Sequence, residues 1–141
     1  MLGQVRESDA QFVDRMISGL VPDVSDDRAY EALNPVERDA ALVWVAVGRI
    51  AVDGWAGWIA SFGHRSGDLV EALRAMGAGG LAEVAQQLGD VQLDNDSAAG
   101  RLAELERRWF ALVRTTSLVE NHLAPWIRSH PADMPSTVDD L

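Results

Sequence analysis

Apolar residues recur at helical spacing along almost the whole chain. In the first such stretch, Ser8 to Leu20, apolar side chains return about every three or four positions, which places them on one face of a helix. No segment shows the strict apolar and polar alternation of a half-buried strand. The pattern predicts an all-α fold, a single-domain bundle of about six to eight helices.

Capping residues and a proline mark where the first helices begin. Ser8 is expected to cap the first helix, and Ser25 to cap a short second helix that runs through Leu33. The NPVE sequence from Asn34 predicts a capping box with proline in the first helical position. The helix that follows is apolar around much of its circumference and is expected to be the most buried one.

Glycines are expected to interrupt the middle of the chain. The Asp53-Gly54 pair allows a tight bend, and a second break is expected at residues 63–67. Ser66 or Asp68 is then expected to cap the next helix, because both side chains accept hydrogen bonds from free backbone amides.

Three more helices are predicted after the glycine-rich sequence at residues 77–80. The first carries Leu81 to Leu88, and a long one begins near Ser97 or Gly100, after a polar loop. The last is expected to be bent or restarted at Pro125, since proline cannot continue an interior helical turn.

Length and composition agree with one packed domain. The chain has 141 residues, of which 48% are hydrophobic, enough for a single buried core. Residues 1–131 are expected to form this domain. Residues 132–141 have no apolar period and are expected to form a mobile acidic tail.

Three further observations bear on the location of the protein. The chain has no cysteine, so neither a disulfide nor a thiolate site is expected. Its most apolar run, residues 40–52, is interrupted by Gly48 and Arg49, and its first residues lack the basic and apolar segments of an export signal. We expect a cytoplasmic protein that has no membrane partner.

The charge of the chain narrows the choice of partner. Its formal net charge is -10, from 22 acidic and 12 basic residues, and all the basic residues are arginine. Binding to nucleic acid or to an anionic membrane depends on basic side chains, so this balance disfavours both. The acids concentrate in residues 1–31 and 90–106, whereas residues 107–130 carry a surplus of arginine. A basic protein is the expected partner.

The residues that could act in catalysis or bind a metal do not have the spacing of a known catalytic or metal-binding motif. A calcium loop of the EF-hand type starting at Asp94 would need glycine at Ala99 and glutamate at Leu105. The three histidines show no pairing with the helical spacing of a zinc site, and no serine lies in a nucleophile-elbow motif. We predict no catalytic residue, no cofactor and no metal.

Two tryptophans, Trp55 and Trp58, lie on one predicted helical face with Phe62. This face carries no polar group to orient a ligand, so we interpret it as core rather than as a stacking platform. Gly57 is expected to let another backbone come close. One alternative stays open, a small-molecule site or an enzyme that uses His64 and the two tryptophans, and it requires a pocket lined by them.

Four short motifs follow one another in a fixed order. They are DGWAGWIAS from Asp53, SGD from Ser66, EALRAMGA from Glu71, and LERRWFAL from Leu105 with WIRSHP from Trp126. In order and content they resemble a bacterial family of acidic DNA-mimic proteins, a domain-of-unknown-function family. Its members carry an Asn-Gly-Gly-aromatic-x-Gln-aromatic-aromatic signature. The resemblance covers residues 33–131.

The chain departs from that signature at its polar positions. The asparagine and the first glycine of the signature correspond to Val52 and Asp53, its glutamine to Gly57, and the polar residue that follows to Ser61. The aromatic scaffold is kept and the hydrogen-bonding residues are not.

The resemblance implies an all-helical fold, a homodimer, and carboxylates that imitate DNA phosphates in front of a DNA-binding protein. We therefore expect a non-enzymatic interaction protein with a basic partner. An immunity protein that neutralises a nuclease toxin is the alternative among binding proteins. The carboxylates expected to bind the partner are Asp90, Asp94, Asp96, Glu104 and Glu106, with Asp23, Asp26, Asp27 and Glu31 as a second cluster.

Overall fold

The computed structural model describes residues 8–17, 26–91 and 98–130, and the regular elements within these ranges are all helical. A 3-10 turn, Gly63–Arg65, joins the third helix to the fourth, and a π-helical turn, Val119–Leu123, leads into the last. The predicted all-α bundle is confirmed, while the predicted tail, residues 132–141, lies outside the described residues. The helices are α1 (Asp9–Ile17), α2 (Asp27–Ala32), α3 (Pro35–Phe62), α4 (Ser66–Ala75), α5 (Gly79–Gly89), α6 (Ala98–Thr116) and α7 (Ala124–Arg128).

The caps predicted at Ser8 and Asn34 are both formed, each as a reciprocal capping box. Ser8 Oγ accepts from the Gln11 amide at 3.1 Å, and Gln11 Oε1 accepts from the Ser8 amide at 2.9 Å. Asn34 Oδ1 accepts from the Glu37 amide at 2.9 Å, and Glu37 Oε1 accepts from the Asn34 amide at 3.0 Å. These bonds satisfy amides that have no partner inside a helix and thereby fix where α1 and α3 begin.

Helix α3 is the central helix, as its apolar pattern predicts. Helices α1, α4, α6 and α7 all pack against it. By length and composition alone the helical run Pro35–Ala75 is sufficient to cross a membrane, a criterion that buried core helices of soluble proteins also meet. The fully buried side chains in the first half of α3 are Ala40, Ala41, Leu42, Val43, Ala46 and Ile50.

The bend expected at Asp53-Gly54 is a kink within α3 rather than the end of a helix. Gly54 has φ 74° and ψ 174°, a conformation that glycine adopts without steric cost. Beyond the kink, Trp55 and Trp58 are fully buried, and the Trp55 ring lies edge-on to that of Trp109 on α6, with ring centroids 5.1 Å apart. The interpretation of this tryptophan face as core is confirmed.

The expected role of Gly57 is wrong. A Cβ atom on Gly57 would lie 2.6 Å from Cβ of Asp53, so the crowding comes from one turn earlier in the same helix and not from a second backbone. The kink at Gly54 accounts for this difference, because the non-helical residue alters how the preceding turn is placed relative to the following one.

Helices α4 and α5 form an antiparallel hairpin around Gly77. Gly77 has φ 78°; its amide donates to the Arg74 carbonyl, and the Ala78 amide donates to the Leu73 carbonyl. This pair of bonds is the Schellman motif that ends many helices. The cap expected at the start of α4 is absent, because the 3-10 turn leads directly into the helix: Ser66 is already its first residue, and the N-cap position is held by Arg65, whose side chain has no acceptor.

The C-terminal elements return to the start of the bundle. The Arg128 guanidinium donates to Asp9 Oδ1 at 2.8 Å and lies 4.4 Å from the centroid of the Phe12 ring, which ties α7 to α1. In the π-helical turn, His122 Nδ1 lies 3.0 Å from the Met76 carbonyl oxygen at the end of α4. The last helix restarts at Ala124, next to Pro125, as predicted.

Candidate partner-binding surface

The structure describes six of the nine carboxylates expected to bind a partner. Asp23, Asp94 and Asp96 lie outside the described residues. Three of the other six make bonds that stabilise the fold. These six are Asp26, Asp27, Glu31, Asp90, Glu104 and Glu106.

Glu106 has a structural role that the partner-binding hypothesis did not include. Its Oε2 atom accepts a hydrogen bond of 2.7 Å from the backbone amide of Trp55. The kink at Gly54 interrupts the helical bonding of α3, and a carboxylate from α6 satisfies the amide that restarts it. The sequence signals the kink through Asp53-Gly54 but not which side chain caps it.

Asp26 and Asp27 belong to the start of α2. Asp26 is the N-cap, and its Oδ1 accepts from the amides of Arg28 at 3.0 Å and Ala29 at 3.3 Å. Asp27 Oδ1 accepts a bond of 2.6 Å from Arg65 Nη2. Glu31 is exposed and forms no ion pair with a described residue. Two of the three described carboxylates of the second cluster are therefore engaged within the fold.

Among the described residues, Arg65 is the charged residue that is buried, with only 8% of its surface exposed. Its guanidinium carbon lies 3.7 Å from the centroid of the Tyr30 ring, within cation–π distance, and Tyr30 donates to Asp68 Oδ2 at 3.3 Å. Sequence reasoning missed this cluster, since neither Arg65 nor Tyr30 lies in a motif that identifies its partner. The cluster joins α2 to the α3–α4 junction.

Two acidic groups near this cluster have raised pKa values. Burial and the neighbouring Asp68 carboxylate raise the pKa of Tyr30 to about 12. Burial raises the pKa of Asp39 above its ordinary value; Asp68 adds to that rise, and Arg38 opposes it. In both cases removal from water disfavours the charged form, so the phenol and the carboxyl hold their protons more tightly than in the unfolded chain.

The small-molecule alternative requires a pocket that contains His64 and an indole. Trp55 and Trp58 are buried against the core, and neither lines the two grooves found among the described residues. The His64 side chain is 54% exposed, and its Nε2 lies 3.7 Å from Asp27 Oδ1 on the surface. The structure therefore does not bring these residues together around a cavity.

A polar groove of about 400 Å³ runs along the seam between α4 and α5. Since the short turn at Gly77 makes the helices antiparallel, residues at similar distances from the turn face each other. Ser66 and Gly89 show this, because a Cβ on Gly89 would lie 3.5 Å from Cβ of Ser66. The long Arg74 side chain donates to Gln86 Oε1 and to Glu71 Oε1, both at 2.8 Å. Asp90 lines the same groove at the end far from the turn.

The chemistry of the groove favours a basic group. Arg74 is already paired with Glu71, whereas Asp90 is exposed and makes no ion pair with any described residue. The Ser66 hydroxyl oxygen, on the groove wall, is buried and has no hydrogen-bond partner within the described ranges. A guanidinium or ammonium group in the groove would find the Asp90 carboxylate as an acceptor.

A second groove, of about 360 Å³, lies on the outer face of α3 and is apolar. Val52, one helical turn after Gly48, is 83% exposed, and a Cβ on Gly48 would meet no other atom within 4 Å. None of the described elements therefore covers this face of the central helix. The lining residues are Trp44, Val45, Val47, Gly48 and Arg49.

Comparison with known proteins identifies the family. The chain matches the family described as DMP19-like protein over residues 31–130, which extend from α2 through α7. The chain belongs to the DMP19-like family. No curated protein and no solved structure gave a significant match.

Membership in the DMP19-like family, a family of the DNA-mimic type, agrees with the resemblance carried by the four motifs. In the structure, the positions where this chain departs from the signature lie mostly on the outside of the kinked region. Val52, Asp53 and Ser61 are exposed, whereas Trp55 and Trp58 are buried. The DMP19-like scaffold is thus retained inside, and the departures change the surface of α3.

Proposed function

We propose that this DMP19-like protein is a non-enzymatic, cytoplasmic interaction protein that binds a basic DNA-binding protein in the manner of a DNA mimic. The observation that carries the proposal is the family match over most of the bundle, in a chain whose net charge is -10. Carboxylates compete with DNA phosphates for a basic groove because both present negative oxygens to the same arginine and lysine side chains.

The α4–α5 groove is the part of the described surface that best suits such a partner. Glu71 and Asp90 line it, and the Asp90 carboxylate is free of ion pairs with other described residues. In the sequence, Asp94 and Asp96 follow Asp90 by four and six residues. We propose that a basic side chain of the partner enters the groove and pairs with Asp90.

A salt-dependent capture experiment tests this function. The immobilised protein should retain basic DNA-binding proteins at low salt and release them both as salt rises and when duplex DNA is added as competitor. The double variant Glu71→Gln/Asp90→Asn should bind the same partner about tenfold more weakly, because paired charges at an interface are lost.

The matched control is Asp14→Asn/Glu120→Gln, which removes the same charge at two exposed positions away from the groove. Equal binding by the two double variants, or partners that neither salt nor DNA displaces, would contradict the proposal. Capture of a nuclease whose cleavage the protein inhibits would instead support the immunity-protein alternative.

The proposal includes a homodimer formed through the uncovered face of α3. Trp44, Gly48 and Val52 are spaced four residues apart and therefore share one side of the helix. If two copies cross antiparallel at Gly48, the Trp44 of each copy packs against the Val52 of the other, and the exposed valine is covered. Such an interface is self-complementary, as twofold symmetry requires.

Sedimentation equilibrium tests the homodimer. The wild-type protein should be dimeric at micromolar concentration, and Val52→Glu should make it monomeric because the carboxylate would be buried without a partner. Ala75→Glu, at an exposed position on α4, serves as the control and should stay dimeric. A monomeric wild type, or a dimeric Val52→Glu variant, would contradict this interface.

A further inference from the structure

The outward face of α6 carries a basic surface on an acidic protein. The buried side of this helix is formed by Ala98, Leu105 and Trp109, which pack toward the core. The opposite side exposes four of the twelve arginines of the chain. We call this the arginine face, and its exposed residues are Arg101, Glu104, Arg107, Arg108, Phe110 and Arg114.

The arginines of this face take almost no part in stabilising the fold. Arg107, Arg108 and Arg114 form no ion pair with any described residue, and Arg101 donates one bond of 3.0 Å to Gln87 Oε1. Glu104 lies among the four arginines, and the exposed side of α6 is net positive, in agreement with the surplus of arginine at residues 107–130. Four cations held close together on one helix repel one another, a cost that an anionic partner would remove.

The spacing of the arginines matches that of a helix laid alongside. Arg101 and Arg108, like Arg107 and Arg114, are seven residues apart, which corresponds to about 10.5 Å along the axis and nearly the same direction around it. Phe110 lies between Arg107 and Arg114 and is 36% exposed, which makes it one of two large exposed hydrophobic residues in the described ranges. By helical geometry Phe110 lies about 40–60° around the axis from Arg107 and Arg114, whereas Glu104 separates this row from the row of Arg101 and Arg108. A row of cations with an aromatic ring beside it forms the complement of an amphipathic acidic helix.

We propose that the arginine face of α6 binds an acidic helical segment of a second protein. Carboxylates at seven-residue spacing pair with Arg107 and Arg114, and an apolar side chain beside them covers Phe110. Arginine suits this role because its planar guanidinium binds a carboxylate through two parallel hydrogen bonds. The surface shares no residue with the lining of the α4–α5 groove, so the protein would hold a basic partner and an acidic one at different sites.

An acidic protein fits this face better than nucleic acid does. A polyanion with phosphates along its whole length would be repelled by a chain of net charge -10, and Glu104 lies inside the footprint. A short acidic helix confines its carboxylates to the arginines and can place an apolar residue against Phe110.

The test uses two synthetic peptides of equal composition and a DNA duplex, all fluorescently labelled. The first peptide is helix-forming and has glutamates seven residues apart, with leucine between them; the second has the same residues out of phase. Fluorescence anisotropy with the full-length protein should show that the in-phase peptide binds at least about fivefold more tightly than the other two probes, since several exposed ion pairs form only in register.

Two double variants test whether the in-phase peptide binds to the arginine face. Arg107→Gln/Arg114→Gln should weaken binding of the in-phase peptide about five- to tenfold. Arg28→Gln/Arg49→Gln removes the same charge at exposed positions on α2 and α3 and should leave it unchanged. Circular dichroism should show that both double variants are folded.

Three results would overturn the proposal: equal affinity for the two peptides, equal binding by the two double variants, or tighter binding of the duplex. The outcome is independent of the proposed DNA mimicry, because Glu71→Gln/Asp90→Asn should leave the peptide affinity intact while it reduces capture of basic proteins. Failure of one proposal therefore leaves the other standing.

Discussion

The carboxylate of Glu106 on α6 accepts a hydrogen bond of 2.7 Å from the backbone amide of Trp55 on α3, 51 residues earlier in the chain. The bond lies at the kink of the central helix, where Gly54 adopts φ 74°. Replacing Glu106 with alanine should lower the free energy of unfolding by about 1–3 kcal/mol, because the amide loses its acceptor in a part-buried position.

Urea denaturation measures this loss. Glu104→Ala, on the exposed side of the same helix, is the control and should change stability by less than about 0.5 kcal/mol. If the two alanine variants are equally stable, the capping role of Glu106 is wrong.

Two glycines of α3 should respond in opposite ways to alanine. At Gly48 a Cβ meets no atom of the same chain within 4 Å, so Gly48→Ala, made in the monomeric Val52→Glu background, should raise stability by about 0.5–1 kcal/mol through its higher helix propensity. At Gly57 a Cβ would lie 2.6 Å from Cβ of Asp53, so Gly57→Ala should lower stability in spite of the same propensity gain. Thermal unfolding of the two variants side by side makes the comparison, and a stabilising Gly57→Ala would refute the crowding.

Tyr30 should make the fold sensitive to alkali. Its pKa is raised to about 12 in the folded chain from an ordinary value of 10.0. Between these values the unfolded chain has lost the phenolic proton and the folded chain retains it, so the free energy of unfolding falls as pH rises, by about 1.4 kcal/mol for each unit.

Absorbance of ionised tyrosine measures the folded pKa directly, because the chain has one tyrosine. Stability of the Tyr30→Phe variant should not show this fall between pH 10 and 12. A folded protein whose tyrosine titrates near 10.0 would contradict the assignment.

Asp39 should oppose folding at neutral pH. Burial raises its pKa above the ordinary 3.8, so the folded chain binds this proton more tightly and stability decreases as pH rises from that value upward. Asp39→Asn removes the charge and should raise the melting temperature at pH 7. The gain should vanish below pH 3.8, where the carboxyl of the unfolded chain is also neutral.

The exposed Glu31→Gln variant provides the comparison for the loss of one negative charge. Equal melting temperatures for Asp39→Asn and Glu31→Gln at neutral pH would indicate that burial of Asp39 has no energetic effect.

The sequence predicts the helices of this protein better than it predicts the use of its charges. Asn34 and Ser8 cap as expected, because the two residues of a capping box are only three positions apart in the sequence. Trp55 and Trp58 are buried as expected, since helical periodicity assigns them to one face.

The carboxylates are harder to predict because their partners are distant in the chain. Glu106 bonds to Trp55 and Asp27 bonds to Arg65, and no periodicity connects either pair. The short turn at Gly77 is a local signal, and it indicates that α4 and α5 form a hairpin; it does not indicate that Arg74 bonds to Gln86 across that hairpin. Sequence therefore fixes which residues are charged and helical, and the tertiary packing decides which carboxylates stay free for a partner.

The three buried indoles also form a coupled optical unit. Trp58 and Trp109 both lie nearly edge-on to Trp55, with ring centroids 6.5 Å and 5.1 Å from it. Chromophores this close share their excited states, so the near-ultraviolet circular dichroism of the protein reports the α3–α6 junction. The spectrum therefore shows, without a label, whether binding at the α4–α5 groove or at the arginine face changes the packing of these indoles.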